Sequence, residues 1–202
     1  MKPLSLTLKN FGPYINETID FTKFEDSSLF LISGKTGSGK TTIFDGMSYA
    51  LFGESSGKLR LGKEMRSTFA DPSEATEVTL LFKHNEYLYE LNRLPEQELF
   101  KKRGTGVRKQ SAKISLIVKD AQGKELRAYS KRREVDELIQ ELLHLNANQF
   151  AQIVLLPQGE FRTFLIAKSD EKEKVLRNLF GTELYQLFSE NLKERLKIAN
   201  QE

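Results

Sequence analysis

Eight residues near the front of the chain, Gly34-Lys35-Thr36-Gly37-Ser38-Gly39-Lys40-Thr41, have the types and the spacing of a phosphate cradle. They fit the pattern GxxxxGK[ST], and each type has a reason to be there. The glycines allow a tight turn in which successive backbone N–H groups face the phosphates. A helix opening near Gly39 adds the positive end of its dipole. Lys40 is placed to reach the β- and γ-phosphates, the Thr41 hydroxyl to hold Mg²⁺, and Thr42 to close the binding stretch. The flanking sequence suits the motif. "SSLFLIS" before it is a short apolar run of the kind that forms a strand covered on both faces. After it, Ile43, Met47, Ala50 and Leu51 recur at helical spacing, and Gly53 suits a helix stop.

Phosphoryl chemistry at such a loop needs a carboxylate, delivered by an apolar strand that ends in an acidic residue. No stretch of this chain supplies it convincingly. "ISLIVKD" runs into a turn, and "FTKFED" is weakly apolar. A second landmark lies downstream, where "FAQIVLLPQGEF" reads as a strand delivering Gln158 into a loop bracketed by Pro157 and Gly159. An amide oxygen there can ligate Mg²⁺ and position water. The residues alone equally describe an ordinary strand-to-helix turn with a surface glutamine, and spacing by itself favours that plainer reading.

The remaining elements follow from periodicity. "LSLTL" and "TIDF" alternate as a hairpin pair around "FGP". "EVTLLFKHNEYLYELNR" forms a second hairpin about His84-Asn85-Glu86, and "ISLIVKDAQGKELRAYS" a third about "DAQG". Residues 54–73 read as loop, and 94–113 as a charged, glycine-containing insertion. Ser130 is a candidate cap for a helix carrying Val135, Leu138, Ile139, Leu142 and Leu143 on one face. Ser169 is a candidate cap for the next helix. A final helix carries Leu184, Phe188, Leu192 and Leu196 as a narrow stripe.

Composition sets the outer limits. The 202 residues suffice for one sizeable domain with a short extension, and 31 basic against 28 acidic residues give a charge of only +3. Nucleic-acid binding therefore has to come from local clusters. The absence of cysteine excludes disulfides and cysteine-based metal or nucleophile sites. No apolar run approaches the ~20 residues of a membrane helix, and no signal peptide is visible, which fits a reducing cytoplasmic setting without a membrane.

Taken together and in order, "LKNFGPY" at 8–14, "GKTGSGKTTIFDGMSYALFGE" at 34–54 and "QFAQIVLLPQGEFRTFL" at 149–165 resemble the amino-terminal part of SbcC-type proteins. These are relatives of the SMC and ABC ATPases that work in DNA double-strand-break processing. The likeness covers nearly the whole chain. It implies an α/β fold: a P-loop NTPase, one lobe of an ABC/SMC-type head, with a β-hairpin-rich subdomain and a C-terminal helix starting a coiled coil. It implies a head lobe over 1–180 and a coiled-coil root over 181–202. It places the family's Q-loop glutamine on Gln158, making Gln158 and Thr41 the Mg²⁺-facing residues and Lys40 and Gln158 the catalytic ones. ATP and Mg²⁺ are the implied cofactors.

In this family the head is split, so the chain is expected to be a fragment. The acidic strand and the Ser-Gly-Gly signature loop would come from a missing carboxy-terminal lobe and a second head. An SbcD-type nuclease and double-stranded DNA are the further partners, in the bacterial cytoplasm at the nucleoid. Some relatives carry an arginine in the loop after the first strand. Gly12 stands at that place here, so that role is not carried over. Arg66, in "GKEMRS", is a candidate neighbour of the base or ribose.

Two basic clusters bear on DNA. Lys101, Lys102, Arg103, Arg108, Lys109 and Lys113 crowd one loop, and Lys131, Arg132 and Arg133 open a helix, where cations oppose the dipole. Such clusters neutralise phosphates without reading sequence, and they are also what a solvated hairpin tip looks like. Three rivals remain for the whole: another ABC/SMC-type ATPase lobe, a P-loop kinase, or a nucleotide-binding module without turnover. A kinase needs an acceptor-binding lid, which the β-rich insertion does not resemble.

Overall fold

The structure is a computed structural model that describes residues 1–24, 29–55, 62–101, 103–151, 188–189 and 191–195. The chain divides into two compact units, Met1–Asn148 and Gln149–Glu202. Gln158 and Lys102 lie outside the described residues, as do Ser169, Leu184 and Leu196.

The first unit is built on one six-stranded antiparallel sheet. Its strands are β1 (Lys2–Phe11), β2 (Tyr14–Asp20), β3 (Glu77–His84), β4 (Tyr87–Leu94), β7 (Lys113–Lys119) and β8 (Glu125–Tyr129), in the order β2-β1-β3-β4-β7-β8. Period-two alternation sends one side chain in two to the same face, and the register lines these up across the sheet. Leu6 sits opposite Leu80, Leu80 opposite Leu91, and Leu91 opposite Leu116, and all four are fully buried. Phe82, Tyr89 and Val118 make a second row, with the Phe82 and Tyr89 rings stacked at 5.1 Å. A third row runs Leu8, Val78, Arg93, an arginine on an otherwise apolar face.

Helix α1 (Lys40–Phe52) lies on that face. It comes so close that a Cβ on Gly46 would stand 2.6 Å from Leu8 Cδ2. Burial extends beyond the expected stripe of Ile43, Met47, Ala50 and Leu51 to Thr42, Gly46, Ser48 and Tyr49. The helix is thus enclosed on most of its circumference. Each large apolar side chain taken fully out of water there is worth about 1.5–3 kcal/mol. Helix α2 (Arg132–Leu143) packs on β7 and α1 through Val135 and Ile139.

Four expectations change. The run "SSLFLIS" (27–33) is anticipated as a buried strand, but its described residues 29–33 have no regular secondary structure, and Leu29 and Leu31 are 88% and 89% exposed. A strand buried on both faces needs neighbours on both edges, and among the described residues no strand pairs with this segment. The charged insertion holds a hairpin of its own, β5 (Gln97–Phe100) paired with β6 (Val107–Gln110). Helix α2 is capped by Lys131 rather than Ser130, with no side-chain cap bond. The start of the anticipated strand at 148–161 is helical instead, within α3 (Ala147–Phe150).

In the second unit, residues 188–189 and 191–195 are helical, and the side chains of Phe188 and Leu192 are exposed.

Candidate phosphate-binding site

The cradle is assembled from the glycine loop, the start of α1 and the turn between β1 and β2. Ser38 N–H donates to Lys35 O at 3.2 Å, closing the tip of the loop. Gly37 has φ 84° with open space where a Cβ would stand, and Gly39 has φ 91°, both in the left-handed region that favours glycine. Gly39 is the N-cap of α1 and makes no side-chain cap bond. The first turn also carries no acidic residue. The opening N–H groups thus keep their donors for a ligand, and the dipole is not offset by a nearby carboxylate.

Lys40 Nζ donates to Gly34 O at 2.7 Å and to Lys35 O at 2.8 Å, which holds the ammonium against the loop it serves. Gly34 to Ser38 and Thr41 are exposed, while Thr42 is buried beneath them. The residues present therefore fit a polyphosphate: uncommitted backbone donors, one mobile-stemmed cation and an accessible hydroxyl. Among the described residues no group of three or more His, Asp or Glu could hold a metal by itself. A divalent ion at this site would rest on the Thr41 hydroxyl and on the oxygens of the ligand.

The turn Gly12-Pro13-Tyr14 lies directly under the cradle. A Cβ on Gly12 would meet Thr42 Cγ2 at 2.5 Å, and one on Gly39 would meet Pro13 Cγ at 2.5 Å. Tyr14 Oη donates to Gly39 O at 3.1 Å. In the sequence, "NFGPY" reads as a hairpin turn within one of the resemblance motifs, and at Gly12 for the arginine it lacks. Its glycine, proline and tyrosine all lie against the cradle.

At the far end of α1 sits Arg93, the charged member of the third core row. Its Nε donates to Ala50 O at 3.0 Å, and its Nη2 to Leu51 O at 3.3 Å and to Asp136 Oδ1 of α2 at 3.0 Å. Burial lowers its pKa, and the Asp136 carboxylate opposes that shift. The only sequence signal was phase: in "YLYELNR", Arg93 falls two residues after Leu91, at an inward position.

Arg66 pairs with Phe11 in an isolated bridge. Its Nη1 donates to Glu74 O at 2.6 Å and its Nη2 to Asp71 O at 2.8 Å, so the guanidinium is engaged in closing the 67–76 loop. The basic hairpin presents Lys101, Arg103, Arg108 and Lys109 to solvent, with a long surface contact of 3.8 Å from Lys109 to Glu98. Its root is fixed by Gln97, which accepts from Thr76 N–H at 2.8 Å and donates back to Thr76 O at 3.2 Å. Thr76 Oγ1 in turn donates to Asn10 O at 3.1 Å, two residues before Gly12. Hairpin and cradle therefore share one end of the sheet. The second basic cluster is locally balanced: Lys131 pairs with Glu134, Arg132 with Asp136 and Arg133 with Glu137.

A glycine loop entering an uncapped helix, laid on the apolar face of a mixed α/β unit, defines a P-loop nucleotide-binding domain. The chain belongs to the AAA domain family, whose model matches residues 5–202. It is 45% identical over 199 residues to the SbcC component of the SbcCD nuclease of Lactococcus lactis, and 47% identical over 197 residues to the same component from Staphylococcus aureus. Those alignments cover 96% and 98% of this chain and 19% of each relative, so the chain spans about a fifth of their length. The SbcC component from Vibrio cholerae is 44% identical over 196 residues, 96% of this chain and 19% of that protein. The resemblance drawn from the three motifs is thus borne out by these relatives. A chain from a solved structure on the ATP-driven dimerization and DNA-stimulated activation of SMC ATPases aligns at TM-score 0.46 and 18% identity, over 89% of this chain and 99% of that one. No described helix is long and apolar enough to cross a membrane.

Proposed function

We propose that this chain is the ATP-binding amino-terminal half of an SbcC-type ATPase head. The observation that carries the reading is the uncapped start of α1 beneath Lys40 and the glycine loop, in a sequence aligned along almost its whole length with the SbcC component of SbcCD nucleases. Gly34 to Thr42 hold the phosphates, with Lys40 on the β- and γ-phosphates and Thr41 on Mg²⁺. Gln158 contributes the second Mg²⁺-facing oxygen and orients water. The head lobe spans 1–180 and a coiled-coil root 181–202.

Turnover then needs a second lobe to bring the water-activating carboxylate and a second head to bring the signature loop. Leu29 and Leu31, exposed in a segment with no strand beside it among the described residues, support this: they are apolar surface suited to a strand from that lobe. ATP drives closure of two heads only as far as its affinity for the closed state exceeds that for the open one. An SbcD-type nuclease reads out the change at DNA ends in the bacterial cytoplasm. The basic hairpin, at the same end of the sheet as the cradle, is the first candidate to contact duplex phosphates. Reversing Lys101 and Arg103 to Glu should weaken DNA binding of the assembled complex and flatten its salt dependence. An unchanged salt slope assigns the contact elsewhere.

The direct test of the cradle is equilibrium binding of MgATP to Lys40→Ala. A loss beyond about 100-fold is expected, since a charge-assisted contact and the cation itself are removed together. Unchanged affinity would remove the assignment. A free-standing P-loop kinase is the rival, and phosphoryl transfer to an acceptor by this chain alone would favour it.

A further inference from the structure

Helix α1 opens with no side-chain cap, yet its first peptide is held from outside by a residue of β2. We propose that Tyr14 is a positioning residue of the phosphate cradle, whose hydroxyl, donated to the Gly39 carbonyl, fixes the peptide that carries the Lys40 N–H. The inference rests on the ATP-site reading above and deepens it.

Five observations converge. Gly39 O accepts two hydrogen bonds, one from Tyr14 Oη at 3.1 Å and one from Ile43 N–H at 3.3 Å, the latter opening the helix. Lys40 Nζ does not compete, because its bonds go to Gly34 and Lys35. The turn that carries Tyr14 is itself anchored: Gly12 N–H donates to Met65 O at 2.7 Å, and Phe11 bridges Arg66. Contact is close enough that a Cβ on Gly39 would stand 2.9 Å from Tyr14 Oη. Burial, then the charge of Glu17, raises the Tyr14 pKa, so the hydroxyl stays protonated and able to donate at neutral pH.

The physical consequence is specific. A peptide whose carbonyl accepts strong hydrogen bonds has a more polarised N–H, because bonds in a chain reinforce one another. Tyr14 therefore both fixes the direction of the Lys40 N–H and strengthens it as a donor to an anion. The left-handed φ of 91° at Gly39 favours glycine, which has no side chain of its own to hold that peptide. A side-chain cap would occupy the N–H donors of the first turn; Tyr14 instead holds the helix entry by its carbonyl and leaves those N–H groups open.

Tyr14→Phe keeps the ring and removes only the donor. In the full-length protein it should weaken MgATP binding about 3- to 10-fold, the range expected for one net hydrogen bond. It should also speed amide hydrogen exchange at Lys40 to Ile43 selectively, and leave the melting temperature within about 2 °C. Unchanged affinity and unchanged exchange, with Lys40→Ala still abolishing binding, would overturn the role of Tyr14 alone. Unchanged affinity in both variants would overturn the ATP-site reading itself. A general fall in melting temperature with exchange rising throughout the sheet would make Tyr14 a folding residue, and would overturn the positioning role as well.

Discussion

The two ends of helix α1 are finished in opposite ways. At its start, Gly39 turns left-handed, no side chain caps the first turn, and the bond that Tyr14 brings from outside falls on a carbonyl. At its end, nearly everything is satisfied. Gly53 closes back on Tyr49 O at 2.8 Å, and Arg93 takes the carbonyls of Ala50 and Leu51. A helix leaves unpaired donors at one end and unpaired acceptors at the other, and both cost free energy when buried. This molecule commits a buried guanidinium to the acceptors and leaves the donors for a ligand. The difference suits the proposed ATP site at the first end and assigns the second end to stability.

That contrast can be broken from the stable end first. Arg93→Met removes the cation from beneath the Ala50 and Leu51 carbonyls and strips Asp136 of its buried partner. Asp136 is 39% exposed and keeps Arg132, so the main cost is the two carbonyls left without donors, about 1–3 kcal/mol each, measurable as a shift in the urea midpoint. A loss under ~1 kcal/mol would mean that water reaches those carbonyls. Asp136→Asn is expected to cost less, because the guanidinium keeps both carbonyl acceptors.

The junction beneath the cradle should respond next. Gly12→Ala places a methyl 2.5 Å from Thr42 Cγ2 at a φ of 57°. Strain of about 1–3 kcal/mol is expected, and nucleotide affinity should fall with it, because Thr42 and Tyr14 lie either side of the same turn. Stability lost with nucleotide affinity intact would uncouple the turn from the cradle.

The smallest effect is confined to alkaline solution. Burial pushes the Tyr49 pKa up to about 12, with Arg93 and Arg132 partly offsetting it. The folded chain thus holds the proton more tightly than the unfolded one. The stability this represents is complete below about pH 10, the ordinary tyrosine value, and is lost as pH rises from there through about 12. Tyr49→Phe should remove that part of the alkaline slope and leave neutral stability nearly unchanged. An identical alkaline slope in the variant would show that Tyr49 does not carry it.

Much of this was legible because periodicity reports burial. The three hairpins of the main sheet follow from alternation, and α1 from Ile43, Met47, Ala50 and Leu51. The cradle follows from its own glycines, since a left-handed φ at Gly37 and Gly39 is a requirement that residue type announces. What escaped was burial without apolarity. Gln97 is 6% exposed because its amide pairs both backbone groups of Thr76, so β5 sat hidden in a charged insertion. Arg93 is buried by its acceptors in the same way. Tyr14 was invisible for another reason: its partner is a backbone carbonyl distant in sequence, and no spacing rule connects them.

The segment at Leu29 and Leu31 taught the converse. Its apolar run predicts a covered strand, but a strand is covered only by neighbours, and composition does not say whether they belong to the same chain.

The central claim is that the cradle is one half of a composite site. It is tested most directly by steady-state ATP hydrolysis, first with this chain alone and then with the carboxy-terminal portion of an SbcC-type head added. MgATP binding with negligible turnover in the first case, and turnover restored in the second and abolished by Lys40→Ala, is the result expected. Robust, Lys40-dependent hydrolysis by the chain alone would contradict it.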